Sequence, residues 1–231
     1  MNNLAIIPAR GGSKRIPRKN IKNFLGKPII TYSIEAAIRS QLFSEVMVST
    51  DDDEIAKIAK NAGASVPFFR SVNNSDDTAI LIDVILEVVS EYRNQGRTFN
   101  SICCVMPTSP FITNKFLKES YDLLLENEFS SVIPIVEYGY PIQRAFILNN
   151  NKLSMKWPDN YIARSQDLQK SYHDSGMFFW LTLEGLKKYN SGVNNNTGGY
   201  IVPESEVHDI DNEEDWILSE IKYQFVQKNG C

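Results

Sequence analysis

Two glycines and five cations crowd the start of the chain. Ile7 to Ile21 reads IPARGGSKRIPRKNI and holds Gly11 and Gly12 among Arg10, Lys14, Arg15, Arg18 and Lys19. Glycines let a backbone approach a ligand closely and aim its N–H groups at an anion. Arginine adds a planar fork and lysine a point charge, both suited to phosphate. No Gly-Lys-Ser/Thr closes the run and no G-x-G-x-x-G occurs in it, so it is neither a Walker loop nor a dinucleotide fingerprint. The alternative is a solvated basic turn. A second set of chemical groups lies near the other end, in HDIDNEEDW, where Asp209 and Asp211 stand two apart. In extended chain such residues point to one side, with Cα atoms about 7 Å apart. Two carboxylates there suit Mg²⁺, and Ile210 would turn to the apolar interior. Glu213, Glu214 and Asp215 read as first-turn acids of a helix. A turn with a helix cap is the other reading of the pair.

The charge around these groups limits their partner. The chain has 231 residues and a formal net charge of -4, which argues against a nucleic-acid binder with one broadly basic face. A local basic loop in an acidic protein fits a small anionic ligand. With 42% hydrophobic and 23% charged residues, the composition is that of a folded domain. No run reaches the roughly 18 to 20 apolar residues of a membrane span, and no signal leader is evident, so a cytoplasmic location is expected. Cys103, Cys104 and Cys231 form neither a disulfide framework nor a zinc pattern. The sequons at Asn73 and Asn195 read as chance in that setting. His173 and His208 are weighed as general bases and read as hydrogen-bonded structural residues.

The elements that must position these groups alternate in period. Apolar runs at Leu4–Ala9, Glu45–Thr50, Ser101–Pro107 and Ser130–Tyr138 read as strands. Helical patterns follow at Pro28–Ser40, Asp52–Gly63, Thr78–Gly96 and Asn114–Glu128, with Pro28 suited to a first turn. This alternation predicts a three-layer α/β/α fold with a mostly parallel, Rossmann-like sheet, whose ligands lie at the carboxyl ends of the strands. From about 139 to 175 the pattern breaks into short strand-like pieces with exposed aromatics, which predicts an arm inserted into a single domain and used for subunit contact. An extra hairpin on the same sheet edge is the competing reading. Strand, helix, strand and a last helix from about Glu213 complete the chain.

The stretch IPARGGSKRIPRKNI resembles the signature of the CMP-sugar synthetases, the cytidylyltransferases of nonulosonic acids. LGKPIITYSIEAA, VSTDDDEIAKIAKNAGA, PTSP and DIDNEEDW continue the likeness in order over most of the chain. It implies a nucleotidyltransferase: a sugar's anomeric hydroxyl attacks the α-phosphate of CTP with Mg²⁺, giving a CMP-sugar and pyrophosphate. It implies that Arg10, Gly11, Gly12, Ser13, Lys14, Lys19 and Asn20 hold the triphosphate, and that Arg70 and Thr78 lie against the cytidine. Taken alone, Arg70 reads as a surface ion pair. Arg10, Lys19, Asp209 and Asp211 would carry catalysis, with the two aspartates on the metal. Met106, Thr108 and Ser109 would meet the sugar. So would Gln143, Arg144, Arg164 and Gln166, carried by the arm of a homodimer into the neighbouring site. Arg144 and Arg164 suit the sugar carboxylate, although solvated surface charge is their plain alternative. Met106 stands where the sialic-acid branch has glutamine, and Gln143 where it has lysine. YPIQRAF, MKWPDN and RSQDLQKSYHDSGMFFW look most like the branch acting on pseudaminic acid, whose methyl end would suit a more apolar pocket of Met106 and Phe111. Phe178 reads as sheet core.

Overall fold

A computed structural model describes residues 2–75 and 80–229. Its strands and helices alternate as β1 (Asn3–Pro8), the short pair β2 (Asn23–Phe24) and β3 (Lys27–Pro28), α1 (Ile30–Ser40), β4 (Glu45–Ser49), α2 (Asp53–Asn61), α3 (Leu81–Asn94), β5 (Ser101–Val105), α4 (Asn114–Glu126) and β6 (Ser131–Glu137). Then come β7 (Phe146–Asn149), β8 (Lys152–Met155), β9 (Tyr172–Asp174), β10 (Phe178–Thr182), α5 (Leu183–Tyr189), β11 (Thr197–Ile201) and α6 (Glu213–Asn229).

The central sheet runs β11-β6-β10-β5-β1-β4, with β9 added beside β6. β1 pairs in parallel with β4 and β5, and β6 in parallel with β11. β10 runs antiparallel between β5 and β6, and β9 is antiparallel to β6. Five strands therefore share one direction and two oppose it.

Period-two alternation sorts the core into two layers. Ile7, Val48, Cys103 and Trp180 face α1, α2 and α4 through Ile34, Ile55 and Leu117. Leu4, Ile6, Met47, Ile102, Cys104 and Leu181 face α3 and α5 through Ile85, Val88 and Leu186. The adjacent cysteines are free and buried on opposite faces, which accounts for their place in an apolar run. A third cluster of Ile16, Phe24, Ile29, Ile210 and Trp216 joins the basic loop to the start of α6.

Helix ends follow local chemistry. Asp52 caps α2 by accepting from Ile55 N at 2.9 Å, and Thr113 caps α4 by accepting from Phe116 N at 3.1 Å. Gly63 and Gly96 take φ of +95° and +75° just beyond α2 and α3, where a side chain would be strained. Pro28 is not in the first turn of a helix. It closes the β2–β3 turn, in which Leu25 and Gly26 have positive φ, and α1 starts two residues later. The 139–175 segment divides. β7 and β8 form their own two-stranded sheet, whereas Tyr172–Asp174 joins the central sheet as β9.

Candidate active site

The parallel strands β1, β4 and β5 deliver their carboxyl ends to one edge of the sheet. There a cleft of about 440 Å³ opens, lined by Arg10, Ser13, Lys14, Arg15, Lys19 and Asn20 on one side. Arg70, Asn74, Leu81 and Val84 form a second wall, and Met106, Pro107, Thr108, Gly176 and Asp209 a third.

The basic loop is held at both ends by the segment after β4. Gly11 N donates to Asp51 Oδ1 at 2.9 Å, and a Cβ on Gly11 would lie 2.7 Å from Asp52 Oδ2, so the close approach requires glycine. Gly12 has open space around it. At the far end Arg18, in left-handed backbone conformation, forks onto Asp52 and also reaches Glu54 at 2.6 Å. This pairing raises the Arg18 pKa further and pulls the Asp52 carboxyl down to about 2. In the loop's middle, Ile16 is buried in the third cluster, and buried Asn20 donates from Nδ2 to the Arg10 carbonyl at 2.9 Å. The cations of this run are thus mounted on a fixed arch.

Lys19 crosses to the acidic segment and donates from Nζ to the Ile210 carbonyl at 2.6 Å. Burial lowers its pKa, opposed by the nearby charges of Asp211 and Asp209. Ile210 is fully buried, so its neighbours are turned toward solvent and the cleft, as the two-residue spacing predicts. Asp209 lines the cleft; loss of solvent raises its pKa, and Asp211 raises it further. Asp211 pairs with Arg15 at 2.8 Å, and its backbone N–H donates to Asp215 Oδ2 at 2.9 Å. Asn212 and Asp215 exchange bonds at the start of α6, with Asp215 N donating to Asn212 Oδ1 at 3.0 Å. A helix cap and an acidic pair therefore coexist here. Gly176 has φ +68°, and a Cβ there would lie 3.7 Å from the Asp209 carboxyl carbon.

The donor set suits a hard divalent cation. Among the described residues no group of three or more His, Cys, Asp or Glu side chains converges as a complete protein cage. Asp209 and Asp211 beside this basic loop fit the habit of hard divalent cations of taking one or two carboxylates from the protein.

Arg70 is buried, not a surface ion pair. Its Nε donates to Ser49 Oγ at 3.0 Å and a second nitrogen to the Ser49 carbonyl, and burial lowers its pKa. Thr78 lies outside the described residues. Met106 is fixed at both backbone groups: its N–H donates to the Met177 carbonyl at 2.8 Å and its carbonyl accepts from Ser33 Oγ at 2.7 Å. Thr108 reaches the cleft, while Ser109 is buried and bonds the Gly176 carbonyl at 3.4 Å. Phe178 is core, as expected. Phe111 is core as well and packs edge-on against Tyr223, so it adds nothing to the cleft.

Gln143, Arg144, Arg164 and Gln166 do not line this cleft in their own chain. Gln143 donates from Nε2 to the Gln169 carbonyl at 2.8 Å, and its Oε1 is buried with no partner. Arg164 is exposed and forks onto Asp167, at 2.7 Å through Nε. His173 contacts the Asp174 carbonyl and the Tyr138 ring, away from the cleft. His208 has its pKa lowered by burial. Sequence reasoning did not assign Asn74, Leu81, Val84 or Gly176 to the site. Gly176 alone carried a signal, as a glycine directly before a strand.

Residues 4–175 match the family model described as Cytidylyltransferase. The chain is 42% identical to a pseudaminic acid cytidylyltransferase of Campylobacter jejuni, covering 97% of each chain. It is 33% identical to N-acylneuraminate cytidylyltransferase A of Danio rerio over 94% of its own length, which is 49% of that protein. A solved CMP:2-keto-3-deoxy-manno-octonic acid synthetase complexed with CTP shares the fold at TM-score 0.71 and 16% identity, covering 99% of this chain and 100% of that one. The family match and the relatives together define the chain as a nucleotidyltransferase. The chain belongs to the cytidylyltransferase family.

Proposed function

We propose that the protein transfers CMP from CTP to the anomeric hydroxyl of pseudaminic acid, releasing pyrophosphate, with Mg²⁺ bound. The observation that carries the choice of sugar is the 42% identity over 97% of both chains to a relative named for that reaction. Met106 on the cleft wall supports it, since a thioether accommodates a methyl-ended sugar better than a polar tail.

In this reading Gly11, Gly12, Ser13 and Asn20 present the arch to the triphosphate, and Arg10, Lys14 and Lys19 balance its charge. Arg70 supports the cytidine side. The sugar oxygen bonds to the α-phosphorus, the bridging bond to the β-phosphate breaks, and pyrophosphate leaves. Lys19 stabilises charge developing on the phosphates. One of the two aspartates receives the hydroxyl proton. Asp209 and Asp211 would hold the Mg²⁺, which neutralises phosphate charge when bound. Thr108 fixes the sugar near Met106, and buried Ser109 supports that wall through the Gly176 carbonyl. Arg144, Arg164, Gln143 and Gln166 act in the neighbouring site of a homodimer, with Arg164 exchanging Asp167 for the sugar carboxylate.

The product identifies the reaction. Phosphorus-31 NMR of CTP, Mg²⁺, pseudaminic acid and enzyme is expected to show one phosphodiester resonance and pyrophosphate. Free CMP with no phosphodiester would contradict transfer to the sugar.

A further inference from the structure

Helix α6 is apolar on two sides. Trp216 and Val226 are buried, and half-buried Tyr223 packs edge-on against Phe24 and Tyr32. The opposite side shows Ile217, Leu218, Ile221 and Phe225 at 58%, 47%, 60% and 58% exposure. Ile217, Ile221 and Phe225 are four residues apart and lie one above another. Single exposed apolar residues are ordinary, but a contiguous stripe of four over more than two turns marks a contact surface.

The charges on the same helix say what covers it. Glu213 pairs with Lys22, Glu220 accepts from Trp216 Nε1, and Lys222 donates to the Val207 carbonyl. Those three are engaged within the chain. Glu214 and Lys228 bracket the outer stripe and take part in no ion pair among the described residues. Their numbers are symmetric: Glu214 and Lys228 are each seven positions from Ile221, and Ile217 and Phe225 are each four. A two-fold axis through Ile221 therefore lays Ile221 on its own copy, Ile217 on Phe225, and Glu214 on Lys228. Parallel docking would instead set Glu214 against Glu214 and Lys228 against Lys228.

We propose that α6 is a homotypic interface, docking antiparallel onto α6 of a second copy of this chain about Ile221. A helix of this length spans about 25 Å. One face of it covers well under the roughly 800 Å² per partner of a standard complex, so the contact is weak and concentration-dependent. It is separate from the arm, whose β7–β8 hairpin exposes Phe146, Leu148 and Leu153. Two different self-complementary contacts on one chain build a tetramer or an open filament.

Sedimentation equilibrium across about 1 to 200 µM tests this, a range that spans affinities of weak protein contacts. Wild type is expected to show a concentration-dependent doubling of mass. Ile221→Asp is expected to weaken that step at least tenfold, about one decade of affinity, with unchanged melting and pyrophosphate release. Glu214→Lys and Lys228→Glu are each expected to weaken it, and the double reversal to restore it. No concentration-dependent step in wild type, a step indifferent to Ile221→Asp, or a double reversal that stays weakened would each overturn the proposal.

Discussion

The Lys19 ammonium donates at 2.6 Å to the backbone carbonyl of Ile210, the residue between Asp209 and Asp211. One side chain thus fastens the basic arch to the acidic segment, and Lys19 and Asp209 line one cleft. Lys19→Met removes both this tie and a charge aimed at the phosphates. Turnover is expected to fall by about two to three orders of magnitude, the usual loss for one preorganised donor. Pyrophosphate release measured beside the melting temperature checks it; a folded variant within about tenfold of wild type would contradict the role.

Asp209 carries a carboxylate that the fold disfavours in its ionised form. Its pKa is raised in the fold by lost solvent and by Asp211, so the folded state favours its protonated form. That contribution to stability is present at low pH and is lost as pH rises through the folded pKa. At neutral pH the ionised carboxylate therefore opposes folding, and Asp209→Asn is expected to raise Tm by roughly 2 °C in a chain of this size. The gain should vanish below the carboxylate range, and pyrophosphate release should be abolished. Thermal scans at pH 3 and pH 7.5 check the sign.

The arch is pinned by Arg18 on Asp52. With the Asp52 carboxyl near 2 in the fold, below its ordinary value of about 3.9, this pair stabilises above that ordinary value and is lost as pH falls toward 2. Arg18 is partly solvated, so the pair contributes no more than about 1 kcal/mol. Asp52→Asn keeps a cap on α2 and loses the charge. KM for CTP is expected to rise about fivefold, with kcat changed far less, a split consistent with about 1 kcal/mol of loop positioning. An unchanged KM would separate the pin from nucleotide binding.

Legibility from sequence divided along physical lines. The arch was readable because glycines with clustered cations have few other uses, and strand positions were readable from apolar period. Strand direction was not: β10 and β9 run against their neighbours, and a buried apolar run looks the same either way. Arg18 onto Asp52, Arg15 onto Asp211 and Lys19 onto Ile210 join segments far apart in the chain, which no local pattern encodes. Phe111 was assigned to the sugar pocket by its apolar type, and packing against Tyr223 uses that same property for the core. Arg70 invited a surface reading because burial of an arginine depends on the Ser49 acceptors brought beside it.

Arg164 gives a test of the arm that sugar kinetics alone would not provide. Arg164→Ala is expected to raise KM for the sugar and leave KM for CTP unchanged. If the arm serves the neighbouring site, Arg164→Ala mixed with Lys19→Met regenerates one intact site in each mixed dimer. About a quarter of wild-type activity is then expected after subunit exchange of equal amounts, by the statistics of a two-fold dimer. Activity no greater than the sum of the two variants would place Arg164 outside a shared site.

The most direct test of the account is pyrophosphate release from CTP and Mg²⁺ with pseudaminic acid and N-acetylneuraminic acid in parallel. Release with pseudaminic acid, and little or none with N-acetylneuraminic acid, is the predicted result. Release with N-acetylneuraminic acid alone would contradict the assignment of the sugar pocket around Met106 while leaving the nucleotide site intact. Silence with both, in protein shown to be folded, would contradict the proposed reaction itself.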